Sequence, residues 1–130
     1  MAASNEGSSR PLSPHLTIFR WHIPMLTSIL TRVTGNALIV SFFLGVAWLI
    51  SAVTSDWAFG WVNWFVTSWL GDLIWVFSAL GMWFHYLTGL RHLIYDAGKG
   101  LDLPTAEKLG MICLVGSVVL TVLTVIIVMI

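Results

Sequence analysis

The chain has 130 residues, of which 58% are hydrophobic and only 9% are charged, and its formal net charge is zero. A soluble domain carries roughly 25% charged residues, so this composition excludes an ordinary water-soluble domain. The balanced charge gives no sign of nucleic-acid binding, and the single cysteine excludes a disulfide within the chain and a multi-cysteine metal site.

The N-terminal segment, residues 1–25, is predicted to lie outside the membrane. It contains Arg10 and Arg20 but no apolar run of the kind that marks a secretory signal peptide. Its Ser-, Gly- and Ala-rich start is too short for a convincing organellar transit peptide. We therefore expect a bacterial protein, located in the inner membrane, rather than a mitochondrial one.

Three segments that lack Asp, Glu, Lys and Arg predict membrane-spanning helices. A helix needs about 20 residues to cross a hydrocarbon core of about 30 Å. The middle segment reaches that length only if its helix begins before Asp72 and continues to about Tyr95. The fold class predicted is therefore an all-α integral membrane bundle of three helices. With their polar ends included, the spans cover residues 26–55, 70–95 and 108–130.

The two connections between the spans differ in composition. Residues 56–69 are rich in Trp, which favours the headgroup boundary, so they are predicted to form an interfacial loop along one membrane surface. Residues 96–107 contain the turn signal Gly98-Lys99-Gly100 and Pro104, which indicate a surface loop.

The basic residues predict the orientation. All of them fall in the N-terminal segment, at the ends of spans or in the second loop, whereas the first connection carries only Asp56 and Asp72. By the positive-inside rule, the N-terminus and the second loop are cytoplasmic and the C-terminus is periplasmic. The six basic residues are Arg10, Arg20, Arg32, Arg91, Lys99 and Lys108.

A histidine in the predicted membrane interior is the first functional candidate. His85 lies about 9 Å of helix rise deeper than Arg91, and an ionisable group at that depth suggests function. His92 is on nearly the same helix face, with Gly89 between them and Gly81 one turn before. The face suits a haem, with His85 as axial ligand and Arg91 and His92 near the propionates. Alternatively, His85 is a buried histidine hydrogen-bonded to another helix, and the glycines serve helix packing.

The start of the first span carries the second candidate. Ser28 and Arg32 share a helix face at the membrane level of Arg91, and with Ile29 they are predicted to bind a quinone by hydrogen-bonding its carbonyl oxygen. The alternative is that Arg32 reaches lipid phosphate and Ser28 only begins the helix.

Two acidic residues leave further alternatives open. Asp96 is either a proton relay for such a site or the ion-pair partner of Arg91 or Lys99. Asp72 with His85 would form the proton relay of a small transporter subunit, although Asp72 lies near the opposite membrane boundary.

These stretches together resemble the cytochrome b556 subunit of succinate dehydrogenase, and the resemblance covers the whole chain in order. Each motif alone is weak, but three motifs in order and at matching membrane levels are specific. The motifs are Arg10-Pro11-Leu12-Ser13-Pro14-His15-Leu16, Ser28-x-x-x-Arg32-x-Thr34-Gly35 and His85-x-x-x-Gly89-x-Arg91-His92-x-x-x-Asp96.

The resemblance implies a subunit that has no catalytic activity alone. In that family, a flavoprotein with FAD and an iron–sulfur subunit oxidise succinate, and the electrons reduce a membrane quinone. It implies that His85 is one axial ligand of a shared haem b and that a second three-helix anchor supplies the other histidine. It also implies docking of the soluble subunits on the N-terminal segment, whose apolar side chains need cover: Leu16, Ile18, Phe19 and Trp21.

The same resemblance assigns the polar residues. Ser28 and Arg32 match the family's quinone-site residues, and Arg91 and His92 lie near the haem propionates. Thr31 stands where the family commonly has histidine, so any contact of that imidazole must be lost or replaced. A haem-free structural anchor and the anchor of a quinol:fumarate reductase remain as alternatives.

Overall fold

The structure is a computed structural model, and it describes residues 18–130. Three of its helices are long and apolar enough to cross a membrane, with 32, 28 and 27 residues. The predicted all-α membrane bundle is confirmed for this part of the chain. The helices are α1 (Ile23–Thr54), α2 (Asp56–Val66), α3 (Trp69–Asp96) and α4 (Leu103–Met129).

The connection between α1 and α3 is itself helical, whereas a loop is predicted over residues 56–69. The Ser55 hydroxyl accepts a hydrogen bond from the Ala58 backbone N–H and so caps α2 at its start. The less exposed residues of α2 recur at helical spacing, which gives this short helix a face that packs on the spans. That face consists of Phe59, Val62, Asn63 and Val66.

The connection between α3 and α4 is a turn over residues 97–102, shorter than the loop predicted over residues 96–107, because α4 begins at Leu103 with Pro104 in its first turn. Gly98 and Gly100 have φ angles of 70° and 71°, a conformation that favours glycine. The Asp102 carboxylate then caps α4 by accepting hydrogen bonds from the Thr105 hydroxyl at 2.6 Å and the Thr105 N–H at 3.1 Å. These two hydrogen bonds lower the pKa of Asp102 below its ordinary value.

Small and hydroxyl-bearing side chains form much of the interface between the spans, as is common where helices approach closely in lipid. Two hydrogen bonds between uncharged side chains cross between spans: the hydroxyl oxygens of Ser41 and Ser78 lie 2.6 Å apart, and Trp83 Nε1 donates to Thr124 Oγ1 at 2.9 Å. The buried serine, threonine and cysteine residues are Thr27, Ser51, Thr88, Cys113, Ser117 and Thr121.

A buried arginine joins the three spans. Arg91 on α3 is only 4% exposed, and its Nη1 donates a 2.6 Å hydrogen bond to Thr27 Oγ1 on α1. The guanidinium lies 5.5 Å from the centre of the Tyr95 ring. Gly110 on α4 packs closely against Ile23 of α1, since a Cβ there would lie 2.8 Å from Ile23 Cγ2, and it would be in ordinary contact with Arg91 Nη1 at 3.5 Å. Within residues 18–130, Arg91 Nε has no hydrogen-bond partner.

We expect Thr27→Val to destabilise the protein by about 1–3 kcal/mol, because it removes the acceptor and leaves a buried charge less satisfied. The measurement is the thermal unfolding temperature of the detergent-solubilised protein in its native complex. Thr121→Val is the matched control, because Thr121 is also buried but its hydroxyl donates only to Ser117 O of its own helix. Equal shifts for the two variants would contradict a special role for the Thr27–Arg91 bond.

Candidate functional site

Helix α3 presents two different faces. His85, Gly89, His92 and Asp96 are exposed on the outer surface of the three spans. A neighbouring face, centred roughly 90° away around the helix, is buried against α1 and α4, and it consists of Phe84, Thr88 and Arg91. The outer face therefore holds most of the residues that the sequence indicates as a site.

Arg91 is the exception, and its position differs from the one expected. Its guanidinium points into the bundle rather than along the face of His85. The reason is helical spacing: six residues at about 100° each leave the two side chains roughly 120° apart around the helix. His92 is seven residues from His85, and it stays on the outer face.

The imidazole of His85 rests against a glycine of α1. A Cβ added at Gly35 would lie 3.2 Å from His85 Cε1 and 3.6 Å from Nδ1, so the absence of a side chain admits this edge of the ring. His85 is otherwise exposed, and it makes no side-chain hydrogen bond to any residue between 18 and 130. Among residues 18–130, His85 therefore lacks both the burial and the hydrogen bond of the packing interpretation.

The two glycines beside His85 serve different purposes. Gly81 packs against α1, because a Cβ there would lie 3.7 Å from Thr34 Cβ and 3.8 Å from Leu38. A Cβ at Gly89 would meet no atom of the described chain within 4 Å. The surface next to His85, on the side of His92, is thus open and free of side-chain bulk.

Helix α1 brings its polar residues to the same side. Ser28, Arg32 and Gly35 recur at intervals of four and three residues, so they share the helix face that meets His85. Ser28 lies about 10 Å of helix rise from Gly35, as does His92 from His85 in the antiparallel α3. Ser28 and His92 are therefore at one membrane level, in agreement with the bond between their neighbours Thr27 and Arg91.

The side chains of this α1 face are accessible. Arg32 is exposed, Ser28 is half-buried and Ile29 is 39% exposed. Neither Ser28 nor Arg32 forms a side-chain hydrogen bond with any residue between 18 and 130. The Ser28 hydroxyl and the Arg32 guanidinium therefore have no acceptor among these residues.

Asp96 is the last residue of α3, and it is exposed. Among residues 18–130, its carboxylate has no ion pair within 4 Å with Arg91 or Lys99. Asp96 lies one turn beyond His92 at the same end of the helix.

The position that the family commonly gives to histidine is occupied differently here. The Thr31 hydroxyl donates a 2.7 Å hydrogen bond to Thr27 O of its own helix. His22 does not replace the missing imidazole, because it lies at the start of α1 with Nδ1 3.8 Å from Glu107 Oε1 of α4. The first motif, Arg10 to Leu16, lies outside the described residues.

Two residues important to the geometry are not singled out by the sequence patterns: Thr27, which binds Arg91, and Gly110, which lets α4 pack closely on Ile23 of α1. A signal for the inward direction of Arg91 does exist. Phe84, Thr88 and Arg91 recur at helical spacing and share one face, and that face is not the one of His85.

Comparisons with known proteins agree on one protein family. The chain matches the family described as succinate dehydrogenase/fumarate reductase transmembrane subunit over residues 6–124. It is 50% identical to the succinate dehydrogenase cytochrome b556 subunit of Paracoccus denitrificans, over 98% of this chain and 97% of that protein.

Two further relatives are more distant. The cytochrome b556 subunit of succinate dehydrogenase from Rickettsia conorii is 36% identical over 89% of this chain and 90% of that protein. The mitochondrial cytochrome b560 subunit of succinate dehydrogenase from Sus scrofa is 39% identical over 85% of this chain and 67% of that protein. With its three membrane-spanning helices and a match over nearly its whole length, this chain belongs to the succinate dehydrogenase/fumarate reductase transmembrane subunit family.

Proposed function

We propose that this chain is the haem b-containing membrane anchor of a succinate dehydrogenase. In this proposal His85 is one axial ligand of the haem, and a second small anchor subunit with three helices supplies the other histidine. Ser28 and Arg32, with Ile29 beside them, bind a membrane quinone that receives the electrons from succinate. FAD and the iron–sulfur clusters belong to the partner subunits.

One observation carries the proposal: an exposed imidazole at the depth of the hydrocarbon, next to a surface without side chains. An ionisable side chain facing lipid at that depth is costly, so His85 needs a partner from outside the chain. The family membership makes haem the best candidate, since neutral imidazole is a good axial ligand to iron.

The shape of the surface fits a flat macrocycle. Gly35 holds the Nδ1–Cε1 edge of the His85 ring, and the other ring nitrogen, Nε2, lies farther than 4 Å from a Cβ at Gly35. We assign Nε2 as the ligand atom. Gly89 leaves its side of α3 uncovered, so a porphyrin can lie against the helix there. When bound, the haem would supply one-electron redox chemistry.

The cations around this surface divide into two groups. His92 and Arg32 are exposed on the side of His85, where they can bind haem propionates or quinone oxygen. Arg91 supports the site from inside, because its bond to Thr27 holds α1 and α3 at matching levels. Its charge adds a positive potential to both sites without direct contact.

At the quinone site, Ser28 and Arg32 act as hydrogen-bond donors. Their hydroxyl and guanidinium groups orient a carbonyl oxygen and stabilise the negative charge that develops on it during reduction. Protons come from the adjacent aqueous phase, and Asp96 is exposed at the same end of the bundle to relay them.

The start of the described chain supports docking of the soluble subunits at this end. Ile18 is 68% exposed and Trp21 is 63% exposed, close to the start of α1. We propose that the iron–sulfur and flavoprotein subunits cover them on the cytoplasmic side of a bacterial inner membrane, with the C-terminus in the periplasm.

Two alternatives share the fold. A haem-free anchor would use His85 only in contacts with its partner subunit. A quinol:fumarate reductase anchor would run the reaction in the opposite direction, and the family description includes both enzymes. The transporter alternative is not favoured, since Asp72 and His85 are 13 residues, or roughly 20 Å, apart along α3.

We expect His85→Ala to abolish the b-type absorption band of the purified complex, because an alanine provides no ligand to iron. The measurement is haem per complex by pyridine haemochrome, with subunit composition checked in parallel. His22→Ala is the control and keeps its haem, since His22 faces Glu107 instead. An unchanged band in His85→Ala would rule out the ligand assignment and favour the haem-free anchor.

Gly89→Leu is expected to lower haem content in the assembled complex, because the new side chain occupies the surface against which the porphyrin lies. Gly89→Ala adds only a Cβ that meets no described atom within 4 Å, so it keeps most of the haem. Full haem occupancy in Gly89→Leu would show that the macrocycle does not use this surface.

Arg32→Ala is expected to reduce the rate of quinone reduction by about tenfold to a hundredfold, which corresponds to the loss of a hydrogen bond to a charged group. Electron transfer from succinate to a soluble dye remains, because the soluble subunits are unchanged. Arg32→Lys keeps the charge but not the planar donor fork, and an intermediate rate is expected. Equal loss of both activities in Arg32→Ala would indicate failed assembly rather than a quinone-binding role.

A further inference from the structure

The short helix α2 has a second face that no other part of the described chain covers. Trp57, Trp61 and Trp64 recur at intervals of four and three residues, and they are 76%, 61% and 68% exposed. With Asp56 and Gly60 they line a shallow cavity of about 410 Å³. We call these five residues the Trp face of α2.

The opposite face fixes α2 against the spans. Asn63 Oδ1 accepts a 3.2 Å hydrogen bond from Trp48 Nε1 of α1, and the Val66 carbonyl accepts one of 3.3 Å from Trp75 Nε1 of α3. Trp48 is six residues, or about 9 Å of rise, before the end of α1. Helix α2 is therefore folded back beside the last turns of α1, at the depth where lipid headgroups lie.

The indole N–H groups separate the tryptophans into two sets. Trp48, Trp75 and Trp83 donate to protein acceptors. Those of Trp57, Trp61 and Trp64 donate to no acceptor in residues 18–130, and the same holds for Trp21 and Trp69, which lie outside the Trp face of α2. A phospholipid headgroup offers phosphate and ester oxygens as acceptors at this depth.

The charge of this membrane face selects the type of headgroup. Between Arg32 and Arg91, the sequence contains only two charged residues, Asp56 and Asp72, and both are acidic. A headgroup with a net negative charge would be repelled by these two carboxylates and would find no basic side chain in this segment. A cationic group of a headgroup would be attracted by the same carboxylates.

We propose that the Trp face of α2 binds the headgroup of a choline phospholipid. Tryptophan rings attract a quaternary ammonium over their faces, the Asp56 carboxylate provides its counter-charge, and the indole N–H groups donate to the phosphate. Quaternary ammonium is favoured over the primary ammonium of ethanolamine lipids, which is more strongly hydrated. This site lies at the end of the bundle opposite Ser28 and Arg32, and it does not depend on haem or quinone binding.

The test measures lipid retention on the intact complex. The delipidated complex is exposed to equimolar phosphatidylcholine, phosphatidylethanolamine and phosphatidylglycerol with the same acyl chains, and the bound lipids are counted by native mass spectrometry. We expect a preference for phosphatidylcholine over phosphatidylethanolamine on the order of fivefold, the size of one exposed cation–π contact. Equal retention, or a preference for phosphatidylglycerol, would overturn the proposal.

Three variants locate the site. Trp61→Leu is expected to remove the preference for phosphatidylcholine over phosphatidylethanolamine, because the rings discriminate between the two ammonium groups. Asp56→Asn, which alters an exposed side chain, is expected to lower the retention of both zwitterionic lipids relative to phosphatidylglycerol, because the carboxylate attracts either ammonium. Trp69→Leu is expected to change neither quantity, and Trp69 is the matched control because it is 74% exposed at the same membrane face but lies outside the Trp face of α2. Loss of the choline preference in Trp69→Leu would indicate general interfacial anchoring instead, and unchanged lipid retention in Asp56→Asn would contradict the proposal.

Discussion

The hydrogen bond between Arg91 and Thr27 is the constraint on which the arrangement of the spans depends. A permanently charged guanidinium inside a membrane bundle is costly, and in this chain the cost is offset by a hydroxyl of α1 and an aromatic ring of α3. Because each of these partners must be present at once, sliding of α1 along α3 would leave the charge unsatisfied. The contact therefore determines the relative level of the two helices.

That register explains how a functional surface can form on the outside of the bundle. The hydrogen bond between Thr27 and Arg91 lies inside the bundle, and it places Ser28 and His92 at one level on the outer side. About two helical turns deeper, Gly35 contacts His85. The same bundle thus satisfies one cation internally and presents an imidazole, an arginine and a hydroxyl externally. An anchor built in this way is incomplete without a neighbour, which agrees with its family being part of a larger enzyme.

The two ends of the bundle carry different chemistry because their residue types differ. Cations, hydroxyls and Asp96 lie at the end where α1 begins, and they suit redox ligands and soluble partners. At the other end, α2 presents tryptophan rings and acidic groups, which suit the headgroup layer. This division allows lipid binding at one face without interference with the proposed quinone site at the other.

The sequence by itself determined the spans and the turn at Gly98, because the length of a charge-free segment and the presence of a turn residue are local properties. It also determined that His85 shares a helix face with His92, and Ser28 with Arg32, because helical periodicity is local as well. It did not reveal helix α2, whose many tryptophans obscure the face that packs. Only the tertiary structure decided that Thr27 of α1 accepts the hydrogen bond of Arg91 and that Gly35 supports His85. Both depend on which helix lies opposite, and periodicity within one helix does not contain that information.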